Sequence, residues 1–247
     1  MSEFNEFDQQ GSVPEKNTGS IISHAFEMYK GVFLYAIVAM IIYMIGDFFL
    51  QSVTGFSSWN SFKEMKDYDG DYSGFRYWNS PGLGLYYSLS NVLIILLSPL
   101  FVGLIYMVNK YNTKNAIEFS DLFIGYRQNF VNILIYSIIS SIILGISLML
   151  CVLPFIFVFP FFLIGYPILL FENASAIDAL TKSFNVAKEN YGTFLGASFL
   201  GGLLSVCGFL ACCIGIIITA PFIMAVMYSA YCAFLGKPRQ ITFTNDK

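Results

Sequence analysis

Few residues of this 247-residue chain could do chemistry, and most of them stand alone. Asp47 is the only acidic residue inside an apolar stretch. A carboxylate within hydrocarbon is costly and marks a functional position by default. Its place near the end of that stretch leaves two readings open. One is an interfacial carboxylate that reaches water; the other is a proton or ligand site. Asp47 is therefore the single candidate substrate-binding residue, and no catalytic, cofactor-binding or metal-ligating set is expected beside it. His24, the only histidine, has no acid or nucleophile at catalytic spacing and is expected to be solvated. Asp67, Asp69 and Asp71 imitate the start of a calcium loop. Such a loop needs glycine at its sixth position and glutamate at its twelfth, where this chain has Tyr72 and Trp78.

Cys151, Cys207, Cys212, Cys213 and Cys232 all lie in apolar runs with no histidine nearby, so they read as small buried hydrophobes. An odd count without exposed spacing argues against a disulfide framework. Asn173-Ala174-Ser175 is a formal glycosylation sequon on a segment expected in the cytoplasm. No P-loop, GxSxG or HExxH pattern occurs.

The elements that must carry these residues are set by composition. Hydrophobic residues make up 56% of the chain and charged ones 12%, with a mean hydropathy of +0.65. Soluble domains carry roughly a quarter charged residues. The 44 residues between Arg127 and Glu172, and the 47 between Glu189 and Lys237, contain no Asp, Glu, Lys or Arg. A helix that crosses hydrocarbon needs about 20 residues, so each run holds two spans and a turn, at Pro154 and at Cys212–Gly215. Two further spans follow Lys30 and Tyr77. Backbone polar groups in lipid must bond within their own segment, which makes these runs helices. The expected fold is an all-α polytopic membrane helix bundle. Its six transmembrane helices lie near 32–51, 85–108, 131–152, 156–171, 193–212 and 216–235.

With the N-terminus inside, the cytoplasmic segments hold ten of the thirteen basic residues, and the outer ones only Lys63, Lys66 and Arg76. That is the asymmetry of the positive-inside rule. The acidic, polar start lacks a secretory signal pattern and reads as a disordered cytoplasmic tail over 1–19. A single membrane domain over 20–236 and a cytoplasmic C-terminal tail over 237–247 complete the organisation. The outer loop, about 52–84, carries Phe56, Trp59, Tyr68, Tyr72, Tyr77 and Trp78 and reads as a connection lying on the membrane surface.

Three segments share one spacing. Phe26, Lys30 and Phe33 stand at i, i+4 and i+7, as do Phe123, Arg127 and Phe130, and Phe184, Lys188 and Tyr191. Each closes an amphipathic stretch, about 20–30, 118–129 and 174–190, and opens onto a span. The pattern predicts three cytoplasmic amphipathic helices resting on the membrane, with Ser20, Ser120 and Ser175 as N-caps. Ser137, Ser141 and Gly145, and Gly192, Gly196, Ala197 and Gly201, form small-residue rows suited to helix contact within the bundle or to a homodimer seam. Pro99, Pro154, Pro160, Pro167 and Pro221 should bend their helices.

The stretch Pro167-Ile-Leu-Leu-Phe-Glu172, with Ala176-Ile-Asp-Ala-Leu180 and Ser183, carries a likeness, as does Gly215-Ile-Ile-Ile-Thr219-Ala-Pro221-Phe222 with Tyr231. Together they resemble a broad group of bacterial multi-pass membrane proteins, similar to the membrane domain of some glycerophosphoryl diester phosphodiesterases. The resemblance covers about residues 20–236 and concerns packing, so it brings no catalytic residue. It implies a bacterial cytoplasmic membrane location.

The functional expectation is a non-enzymatic membrane scaffold or accessory factor of the envelope; the alternative is a transporter or lipid-handling protein. Its expected partners are the lipid bilayer and either a second copy or another membrane protein. No basic run able to bind phosphates in series is present, which excludes nucleic acid.

Overall fold

The computed structural model describes residues 11–60, 63, 81–210 and 214–238. Among them the regular elements are all helical. They are α1 (Thr18–Thr54), α2 (Leu83–Asn112), α3 (Ile124–Arg127), α4 (Phe130–Leu150), α5 (Val152–Val158), α6 (Gly165–Phe171), α7 (Ala176–Glu189), α8 (Tyr191–Cys207), α9 (Ile214–Thr219) and α10 (Phe222–Leu235). Short 3₁₀ helices stand at Phe119–Phe123, Phe159–Phe162 and Gly208–Leu210.

Among the described residues, five stretches are long and apolar enough to cross a membrane: Thr18–Thr54, Leu83–Asn112, Phe130–Leu150, Val152–Phe171 and Gly215–Leu235. A sixth apolar helix, Tyr191–Cys207, is 17 residues long. At 1.5 Å per residue it spans roughly 26 Å, and the 3₁₀ turn that continues it adds about 6 Å. That sum is close to the hydrocarbon thickness. The chain has the helices of a membrane protein. Its outward faces agree, since Leu34, Ile142, Met149 and Leu203 are all exposed.

The chain divides into two compact units, Met1–Ala39 with Ser98–Lys247, and Met40–Leu97. In the larger unit the helices form returning pairs whose ends are tied. Asn112, the last residue of α2, donates from Nδ2 to the carbonyl of Ser12, just ahead of α1, at 2.9 Å. Asn129, just before α4, donates from Nδ2 to the carbonyls of Leu169 and Ala174, on either side of the end of α6. Thr18 at the start of α1 donates to the Thr193 carbonyl near the start of α8, and the Lys16 ammonium lies 5.7 Å from the Phe234 ring centre near the end of α10.

The joint before α4 shows how local chemistry turns the chain. Asn129 has a φ of 54° and is left-handed, a conformation Asn tolerates better than most residues. This ends α3 and restarts the helix at Phe130. The last carbonyls of α6 have no partner within their helix. The Gln128 and Asn129 amides supply partners, Gln128 reaching the Leu170 carbonyl at 2.9 Å. Asn129→Ala is expected to destabilise the protein by about 2 kcal/mol, from the left-handed penalty and the abandoned carbonyls. Chemical denaturation in detergent measures it, and an unchanged midpoint would show the joint to be held elsewhere.

The three surface helices take different forms. The stretch 20–30 is no separate element but the first part of α1. Ile21, Ala25, Met28, Val32, Ala36 and Ala39 recur every three or four residues and are all buried, so one apolar stripe runs through the expected break. The stretch 118–129 is a 3₁₀ turn followed by α3. Only 174–190 forms the expected amphipathic helix, α7, which buries Ala176, Ala179, Ser183 and Ala187 and turns its charges outward. The caps differ for the same reasons. Ser175 caps α7, accepting from the Asp178 amide. At α1 the cap is Asn17, whose Oδ1 accepts from the Ser20 amide, and at Phe119–Phe123 Asp121 accepts from the Glu118 amide.

The prolines divide by position. Pro160 opens the 3₁₀ helix Phe159–Phe162 and Pro167 lies in the first turn of α6, so the fourth span is broken into three short helices. Pro221 separates α9 from α10. Pro154 sits in the first turn of α5, where its missing N–H is harmless, and the preceding break falls at Cys151. Pro99 lies inside α2, which runs on past it.

Candidate functional site

His24 is buried at 6% exposure, contrary to the solvated position expected from sequence. The α1 stripe that continues through it carries it into the bundle against α10. Its Nδ1 lies 2.8 Å from Ser229 Oγ, and its Nε2 lies 3.2 Å from the Ser12 carbonyl and 3.0 Å from Ser12 Oγ. A carbonyl can only accept, so the Nε2 atom carries a proton. The ring is thus a bridge between the chain ahead of α1 and helix α10.

The bridge belongs to a larger cluster. Asn112 accepts at Oδ1 from the Ser12 amide and donates from Nδ2 to Tyr228 Oη, at 2.8 and 2.9 Å. Tyr228 in turn donates to Asn109 Oδ1 at 3.0 Å. Helices α1, α2 and α10 therefore meet on buried polar side chains, and Ser12, itself exposed, joins them from ahead of α1. One turn further along α10, Tyr231 donates to Glu172 Oε1 at 3.2 Å, and Lys182 pairs with Glu172 Oε2 at 2.6 Å. Glu172 and Tyr231, quoted above for the likeness, are thus in contact.

In the smaller unit Asp47 is half-buried on α1, two turns before that helix ends at Thr54. Helix α1 runs past residue 51, so Asp47 does not lie in its last turn. Tyr86 Oη donates to Asp47 Oδ1 at 2.6 Å, and Gln51 Nε2 donates to Oδ2 at 2.7 Å. Gln51 Oε1 then accepts from the Ser58 amide and hydroxyl. The Phe56 ring packs on Tyr86 at 4.8 Å. Both carboxylate oxygens thus hold neutral donors, and Asp47 organises the turn that leaves α1.

The remaining candidates are scattered. Cys151 and Cys207 are exposed and only Cys232 is buried, so two of the three described cysteines face outward on apolar helices. Cys212, Cys213, Asp67, Asp69 and Asp71, with Tyr68, Tyr72, Tyr77 and Trp78, lie outside the described residues. Among the described residues, no three His, Cys, Asp or Glu side chains converge as a metal site would require. The small-residue rows act only in part. Ser137 is buried and donates to Ser98 Oγ at 2.6 Å, whereas a Cβ on Gly145 would meet open space. Gly196 and Gly201 face Thr18 and Val226 closely, whereas a Cβ on Gly192 would also meet open space.

Ser12, Asn109, Asn112, Tyr228 and Ser229 were not legible as a site. Asn109, Tyr228 and Ser229 stand in or beside apolar runs and Ser12 and Asn112 in polar stretches, and nothing in their spacing connects them. Comparison with protein-family models, with curated proteins and with solved structures finds no match to this chain.

Proposed function

We propose that this chain is a non-enzymatic multi-pass protein of the bacterial cytoplasmic membrane, acting as a scaffold or accessory factor of the envelope. The observation that carries the reading is the state of the interior. Among the described residues, every buried side-chain nitrogen and oxygen has a hydrogen-bond partner. The polar groups gathered around Tyr228 are used in holding helices to one another, as a packing role requires. The bacterial location follows from the resemblance to the membrane domain of glycerophosphoryl diester phosphodiesterases.

The orientation proposed is six crossings with both termini in the cytoplasm. Two independent features support it. Leaving aside Lys30, which lies part-way along α1 beside Cys207 and Thr219, basic residues divide nine to three between the two sides. The segments near Ser12, Asn112, Asn129, Glu172, Thr193 and Phe234 are tied to one another in pairs, as the same side of three returning hairpins would be. Extraction in mild detergent is expected to recover a stable oligomer or a membrane-protein partner. A monomer that carries solute flux in liposomes would overturn the reading.

A second reading, a transporter or lipid-handling protein, is favoured by Asp47 and by the broken helix Val152–Phe171. A carboxylate gripped by Tyr86 and Gln51 within an apolar helix is a ready proton or ligand site. On this reading Asp47→Asn abolishes transport while changing stability by about 1 kcal/mol or less, since the amide keeps one acceptor oxygen. Flux and melting temperature measured on the same preparation separate the two. Undiminished flux in that variant removes Asp47 from the mechanism.

A further inference from the structure

Between α1 and the helices α8 to α10 runs an outward-opening groove of about 500 Å³. Its walls include Phe26, Lys30 and Phe33 from α1, Leu204 and Cys207 from α8, and Phe222 from α10. The volume falls within the range of small-molecule sites, about 300–1,000 Å³. The α1 wall is the first of the aromatic–cation–aromatic triplets noted in the sequence, so one helical face presents two rings with an ammonium between them. Phe26, Lys30 and Cys207 are exposed, and the neighbouring Leu34 is 73% exposed, so the groove opens where the protein meets lipid.

Among the described residues, Lys30 is the only charged one on these walls. The two ion pairs among the described residues are Lys110–Asp121 and Lys182–Glu172, and neither uses Lys30. Glu27, one turn earlier on α1, does not line the groove. A comparable groove of about 430 Å³ between α5 and α8, lined by Val152, Phe155, Phe159 and Leu203 among others, has no charged side chain on its walls. The two grooves would both accept hydrocarbon, but only one offers a cation to a headgroup.

We propose that the α1 groove holds an acyl chain of an anionic phospholipid, with the lipid's negative headgroup paired to Lys30. The ammonium is a strong point-charge partner for phosphate, and its long stem reaches along apolar surface to the interface.

Native mass spectrometry of the full chain, released from detergent with equal amounts of phosphatidylglycerol and phosphatidylcholine, tests this. Phosphatidylglycerol should be retained in preference by about fivefold, the effect of one cation near an anionic lipid. Lys30→Gln should erase the preference and Lys30→Arg should keep it, both without change in melting temperature. Lys114→Gln, away from this groove, should leave the preference intact. Leu204→Trp, which fills the groove, should lower retention of both lipids, whereas Leu203→Trp in the uncharged groove should leave the preference unchanged. A wild type without preference, or a preference that survives Lys30→Gln, overturns the proposal. Full competition by free glycerol 3-phosphate would also overturn it, because it would show a headgroup site that needs no chain.

Discussion

Gly103→Ala is expected to destabilise the protein by about 3 kcal/mol, a fall in melting temperature of about 10 °C. Gly103 lies in the middle of α2, where alanine would ordinarily be the better helix former by about 1 kcal/mol. Packing reverses that preference. A Cβ built on Gly103 stands 2.0 Å from the carbonyl oxygen of Leu122 and 2.5 Å from its carbonyl carbon. The obstacle is backbone, so no rotamer change relieves it. Leu122 is itself fully buried, which prevents the 3₁₀ turn Phe119–Phe123 from swinging away. Gly125 repeats the arrangement against the Pro99 carbonyl, at 2.3 Å. Two glycines thus let α2 and the 119–127 segment approach backbone to backbone, the use small residues serve where helices pack within a membrane. The comparison is Gly145→Ala on α4, where the added methyl meets open space and should raise the melting temperature by about 3 °C. Equal melting of Gly103→Ala and wild type would mean that the segment has room to move.

Tyr228→Phe is expected to cost a similar amount, about 3 kcal/mol, by a different route. The hydroxyl accepts from Asn112 and donates to Asn109, and all three side chains are buried. Its removal leaves one amide donor and one amide acceptor without partners, at about 1–3 kcal/mol each before relaxation. Asn112 also holds the amide and carbonyl of Ser12, so loosening it should free the segment ahead of α1. Tryptic cleavage after Lys16 should then accelerate in Tyr228→Phe. Tyr231→Phe provides the contrast. Its acceptor, Glu172, keeps the Lys182 ammonium, so the loss should be nearer 1 kcal/mol. If the two variants melt together, the buried network is not what closes the bundle.

Much of the architecture was legible before any coordinates, because lipid imposes a strict rule on a chain. Runs such as 128–171 and 190–236 lack charge, and hydrocarbon leaves a charge-free backbone no choice but the helix. The all-α fold, the apolar helices and α7 with its Ser175 cap follow from that rule and from periodicity. The cap at α1 did not, since Asn17 and Ser20 are both capable residues and the sequence does not say which will accept. The break at 30 was misplaced for a related reason. Charge at Glu27 and Lys30 marks a membrane border in sequence, but the buried stripe from Ile21 to Ala39 continues through it and keeps α1 whole.

Only tertiary structure decided the rest. His24 is a solvated residue or a buried bridge according to whether Ser12 and Ser229 stand on either side of it, and those lie 12 and 205 residues away in the chain. Asp47 takes its partner Tyr86 from 39 residues away in the chain. The close approach at Gly103 depends on where a turn at Leu122 comes to rest. Hydrophobic pattern is a local property that each segment satisfies alone. The pairing of polar side chains depends on which helices become neighbours, and that is settled by shape and packing across the whole bundle.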